Sequence, residues 1–169
     1  MPRIPTDTRV PIPHEALRAL TGIDLLGRVF PEKLMRVAGR AGGGDQEHKR
    51  RLIRELTPGR RAVFMFVAIY AHNIYGWESF LSGLAAEIDR GMLDDMEEGV
   101  RHLCDSRLLG IVSRCKKLYC SRESGRRKRA QYAELDKEYE CIREESLRNA
   151  VEFVKHRPEE FFKPPDNTR

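Results

Sequence analysis

The chain has 169 residues with 31 basic and 26 acidic side chains, a formal net charge of +5, 40% hydrophobic residues and 34% charged ones. The apolar fraction suffices for one packed core, and the charge density suits amphipathic helices with solvated outer faces rather than sheets. No apolar run approaches the roughly 20 residues that span a bilayer, and the N-terminus lacks the apolar stretch of an export signal.

These features place the protein in the cytoplasm, away from membranes, with Cys104, Cys115, Cys120 and Cys141 reduced and set as small residues within helical patterns.

Residues 1–12 read as an extended, proline-punctuated arm, residues 13–162 as a single helical domain, and residues 163–169 as a disordered tail. An early helix is expected over 14–26 and a short one over 32–37. The stretch "GRAGGGD" breaks the pattern, because its glycines disfavour a helix. Asp45 suits the N-cap of "QEHKRRLIREL". Thr57 then caps a second start, with Pro58 at the first helical position, where its missing N–H costs nothing. The helix over 58–74 is apolar on more than one face and is expected to be central.

After Gly76 the helical spacing restarts with Trp77, Phe80, Leu81, Leu84 and Ile88, and Gly91 suits the turn at its end. Leu93, Met96, Val100, Leu103 and Cys104 form the next stripe. Leu108, Ile111, Val112, Cys115, Leu118 and Tyr119 form another, stopped by "SRESG". The last long helix is expected over 136–156, with Tyr139, Ile142, Leu147, Ala150, Val151 and Val154 inward, before Pro158 breaks it. No alternating strand pattern competes. The fold class is all-α: a single-domain multi-helix bundle around the buried 58–74 helix.

The corner "AHNIYGWESF" admits two interpretations. His72, Asn73 and Trp77 could line a pocket for a polar ligand, or Asn73 could bond the helix-end carbonyls while Gly76 turns the chain and Trp77 packs inward. His102, Cys104, Cys115 and Cys120 carry metal-ligating atoms but lack C-x-x-C or paired-histidine spacing, so no metal is expected. No nucleophile elbow, phosphate-binding glycine loop or cofactor motif occurs. The pairs Asp94/Asp95 and Glu97/Glu98 are adjacent on a helix rather than opposed, and nothing argues for an enzyme.

Charge is unevenly distributed. Residues 114–129 carry eight basic side chains against Glu123 alone, whereas residues 78–98 carry seven acids against Arg90. Such a two-sided molecule suits steering towards a charged partner. Within the basic segment, Lys116, Lys117, Arg122, Arg126, Arg127, Lys128 and Arg129 could hold phosphates, with Tyr119 or Tyr132 stacking on a base. A second basic run, Lys49 to Arg54 with Arg60 and Arg61, would add to that face.

The segment "ELTPGRRAVFMFVAIYAHNIYGWESFLS" resembles the core of a bacterial all-helical family of unknown function, the DNA-mimic-protein-like domain. The matching positions are Leu56, Thr57 and Pro58, then Gly76, Trp77 and Phe80. The stretch "LDKEYECIREESLRNAVEFVKHRPEEFF" is similar to that family's closing helix at Asp136, Tyr139, His156 and Phe161, and the resemblance covers about residues 54–162. The family's corner reads Asn-Gly-Gly where this chain has Ile74-Tyr75-Gly76, and its eponymous member is strongly acidic where this chain is basic.

The resemblance therefore implies the fold and a non-enzymatic interaction module, with a homodimer as one form, rather than a whole-surface DNA mimic. The expected function is binding of a protein partner through a charged face. The alternatives are nucleic-acid binding through 114–129 or an enzyme with its pocket at the His72/Asn73/Trp77 corner.

Overall fold

The computed structural model describes residues 22–29, 51–85 and 91–161, and the regular elements within them are all helical. We label them α1 (Gly22–Arg28), α2 (Pro58–His72), a single 3-10 turn (Asn73–Tyr75), α3 (Trp77–Gly83), α4 (Met92–His102), α5 (Ser106–Cys120), α6 (Gly125–His156) and α7 (Pro158–Phe161). The expected arm, the 32–37 helix, the glycine break, the Asp45 cap and the tail lie outside the described residues. None of the described helices is long and apolar enough to cross a membrane.

α2 begins as its residues dictate. The Thr57 hydroxyl accepts from the Arg60 N–H at 3.3 Å, and Pro58 occupies the first turn. Residues 62–66 are all buried, so this helix is enclosed on more than one face. It packs most extensively on α4, where Gly99 allows close approach: a Cβ there would lie 3.0 Å from the Met65 Cβ. α4 packs on α5, α5 on α6, and α6 also touches α1, α2, α3 and α7. Phe66, Met65 and Ile69 are almost fully enclosed, and each such side chain contributes about 1.5–3 kcal/mol of burial.

The short α7 closes the bundle against the start of α2. Thr57 donates to the Glu160 carbonyl at 2.7 Å, Arg60 donates to the Phe161 carbonyl, and Glu160 pairs with His102 at 2.9 Å. Phe161 is buried edge-on to Phe153 at 6.0 Å.

Four local expectations change. α6 starts at Gly125 rather than near Asp136, because Tyr132 and Leu135 continue the inward face of Tyr139 and Ile142 and no breaker intervenes. Arg126 to Arg129 are thus the first turn of a helix about 48 Å long, not a loop. α3 closes at Gly83, leaving Leu84 half-buried, while Ile88 is outside the described residues.

Ile74, expected inside the central helix, sits in the 3-10 turn and is exposed. Cys104 also faces solvent, because α4 has ended and its backbone has swung to a left-handed φ of 59°. Cys120 and Cys141 are exposed as well, which leaves Cys115 as the buried thiol.

Candidate functional site

The two candidate regions are both helix corners, and the structure treats them differently. At the end of α2 the Asn73 N–H donates to the Ile69 carbonyl, closing the helix through the backbone. The Asn73 side chain does not cap anything: it is 9% exposed, and neither amide atom has a hydrogen-bond partner among the described residues. His72 is the last residue of α2, and its side chain lies outside what the structure describes.

Trp77 is 1% exposed and packs edge-on to Phe80 at 5.8 Å and to Tyr139 at 5.6 Å. Its backbone N–H donates to Asp136 Oδ1 at 2.7 Å, so α6 supplies the cap that the local sequence lacks. Burial raises the pKa of the Tyr139 phenol, so the ring beside Trp77 stays neutral. Arg143 lies over the Tyr70 ring at 4.5 Å, and the Tyr70 hydroxyl donates to Glu144 at 3.2 Å.

Trp77 is therefore a core residue, not the wall of an open pocket. What this corner presents to solvent is Ile74 and Tyr75, 58% and 79% exposed.

The second corner joins α5 to α6. Asp105 caps α5 by accepting from the Leu108 N–H at 2.9 Å. At the other end the chain turns through residues 121–124 into Gly125, whose φ is 68°. Residues 122–127 are all exposed, and Ser124 makes no side-chain cap to α6.

The seven basic candidates divide here. Lys116 is engaged by Asp94 and Glu97, each at 2.5 Å. Those hydrogen bonds raise the Lys116 pKa, and the bond from Lys116 holds the Glu97 carboxyl below its ordinary value. Lys128 donates to the Tyr119 carbonyl at 3.2 Å, and Arg127 lies 3.8 Å from Glu123. Lys117, Arg122, Arg126 and Arg129 have no hydrogen-bond or ion-pair partner among the described residues.

Lys116 is not part of a free basic surface, since it ties α5 to the acids Asp94 and Glu97 of α4. In the second basic run Arg60 and Arg61 turn their guanidinium groups onto backbone carbonyls, Arg51 and Arg54 are exposed, and Lys49 and Arg50 lie outside the described residues. Tyr132 is buried and cannot stack on a base, and Tyr119 is half-buried against the core.

A feature that sequence reasoning missed lies beside this corner. α5 and α6 run antiparallel, and Arg114 forms a two-pronged ion pair with Glu138. Between that tie and the turn is a groove of about 330 Å³. Lys117, Leu118 and Ser121 line it from α5 and its end, Glu134 and Leu135 from α6. Gln131 donates to Glu123 at 2.6 Å and closes the turn end. Leu118 was legible as core, but Leu135 lay before the expected helix start, and that a groove opens over the pair depends on how far apart the two helices sit.

Among the described residues no group of three or more His, Cys, Asp and Glu side chains is placed to hold a metal ion. No protein-family model, curated protein or solved structure matches the chain.

Proposed function

We propose that this protein is a non-enzymatic helical module that binds a nucleic acid through the α5–α6 corner. One observation carries this conclusion: Lys117, Arg122, Arg126 and Arg129 lie at or beside the α5–α6 corner, exposed and with no hydrogen-bond or ion-pair partner of their own among the described residues. Unpaired arginine and lysine ends supply the counterion-releasing contacts that dominate affinity for phosphate backbones. On this account the DNA-mimic-protein-like resemblance supports a helical interaction frame only. A DNA-mimicking acidic face is disfavoured, because Asp94 and Glu97 are taken up by Lys116. A cytoplasmic setting suits the three exposed free thiols, which a reducing compartment keeps as thiols.

The test is fluorescence anisotropy with labelled oligonucleotides between about 50 and 200 mM salt. Four phosphate contacts on a single strand give a log–log slope of about −2.8, and R126A/R129A halves it to about −1.4. Salt-independent binding, or a slope unmoved by the double variant, overturns the proposal.

A separate observation favours a protein partner as a second reading. Ile74 and Tyr75 project from a turn whose base is held by Trp77 and Asp136. Large exposed apolar side chains on a rigid corner are typical contact anchors, and a second copy of this chain is one form such a partner takes. Replacing both by serine abolishes any such association without unfolding the bundle; association that survives the change rules out this corner.

A further inference from the structure

Resting on the nucleic-acid reading, we infer that the groove between α5 and α6 receives one unpaired nucleobase of a single strand, with Glu134 and Lys117 reading its edge. The groove has closed ends and an unoccupied middle in terms of bonding. Arg114 and Glu138 satisfy each other at one end, and Glu123 is held by Gln131 and Arg127 at the other. Between them Lys117 and Glu134 line opposite walls, and neither has a hydrogen-bond or ion-pair partner among the described residues. Below them Leu118 and Leu135 are 6% and 5% exposed and form an apolar floor.

An apolar floor flanked by one free acceptor and one free donor matches a planar base, whose face is apolar and whose edge carries both kinds of group. A volume near 330 Å³ lies at the lower end of ligand-sized clefts, about 300 Å³ and upward, and leaves room for one base with its sugar. The strand would leave the groove at the turn end, where Arg122 and Arg126 are exposed for its phosphates. A duplex must first flip a base out, at a cost of a few kcal/mol, so single strands are favoured.

Chemistry also selects among bases. The Glu134 carboxylate accepts from the N4 amino group of cytosine, while the Lys117 ammonium donates to its O2. Thymine offers a single donor, N3–H, flanked by the O4 and O2 acceptors, so a carboxylate that bonds it lies beside two repelling carbonyls. The expected preference for cytosine over thymine is about tenfold, the low end of discrimination by a well-placed base contact.

The experiment titrates labelled oligodeoxycytidine, oligodeoxythymidine and a mixed-sequence duplex into the full chain, its E134A variant and its R126A/R129A variant. The expected result is a cytosine over thymine ratio of about ten for the full chain. In E134A the ratio falls to near one while the salt slope is unchanged. R126A/R129A weakens all three ligands and keeps the ratio. Equal affinity for the two single strands, or tighter binding of the duplex, overturns the base pocket while leaving the phosphate-binding corner intact. Absence of salt-dependent binding to any of the three overturns both.

Discussion

The α2–α3 corner and the α5–α6 corner are each turned by a glycine with positive φ, 85° at Gly76 and 68° at Gly125, yet one faces the core and the other solvent. At Gly76 an added Cβ would meet Asp136 Oδ2 at 2.7 Å, and the next residue donates its N–H to the same carboxylate. At Gly125 an added Cβ meets nothing within 4 Å. The first glycine answers to both conformation and space, the second to conformation alone. What separates the corners is a residue 59 positions away in the chain, Asp136, which arrives at one of them and not the other.

The comparison breaks most readily at Trp77. Replacing this enclosed ring with alanine is expected to cost about 3–5 kcal/mol, read as a lower urea midpoint at unchanged slope. R126A/R129A at the open corner should stay within about 0.5 kcal/mol of the parent, as exposed substitutions do. A small effect at Trp77 would mean that its corner is not the packed one. The glycines give the same contrast at lower amplitude. G125A carries the positive-φ strain of about 1–2 kcal/mol, whereas G76A combines φ 85° and ψ 163°, a region open essentially to glycine alone, with displacement of the Asp136 carboxylate and should exceed it. Equal penalties for the two would show that Asp136 moves aside freely.

Lys116 sharpens the comparison, because it belongs by sequence to the basic corner and by structure to the half-buried edge between α4 and α5. Hydrogen bonds from Lys116 and Ser113 hold the folded Glu97 pKa below its ordinary 4.5. The unfolded chain therefore binds more protons than the folded one between the two values, and stability rises with pH through that window. Acidification from about pH 5 downward should lower stability as Glu97 protonates, read as a falling urea midpoint. In E97Q that part of the decline is absent, since the group no longer titrates. Parallel pH profiles for the two proteins would show that the Lys116 contacts contribute nothing.

Much of this frame is legible in residue order. The Thr57-Pro58 start and the Leu108 to Leu118 stripe follow from capping and helical period alone, and both are realised. What is not legible is which polar residues of a corner turn inward. Asn73 and the exposed pair Ile74–Tyr75 are the reverse of what polarity suggests, because the 3-10 turn rotates the chain just before Gly76. The groove was hidden for a related reason. Its walls, Lys117 and Glu134, lie on antiparallel helices that the Arg114–Glu138 tie also bridges, a pairing with no local signature.

A third corner, between α4 and α5, completes the series with a smaller effect. Cys104 holds a left-handed φ of 59° just after α4, donating its N–H to the Arg101 carbonyl at 3.0 Å. This is the position after a helix where glycine is favoured, since a side chain there crowds the following carbonyl. C104G relieves that strain but makes the unfolded chain more flexible, and the two effects oppose each other. The net gain is expected to be about 0.5 kcal/mol, a rise in thermal midpoint of about 1–2 °C. The thiol contributes little to offset this, being exposed with only a 3.7 Å contact to the His102 carbonyl. A lower midpoint for C104G would reverse that ranking and make the sulfur contact, not the backbone, the reason cysteine is held at this turn. A rise would leave all three corners obeying one conformational rule, with Asp136 as the added constraint at Gly76 alone.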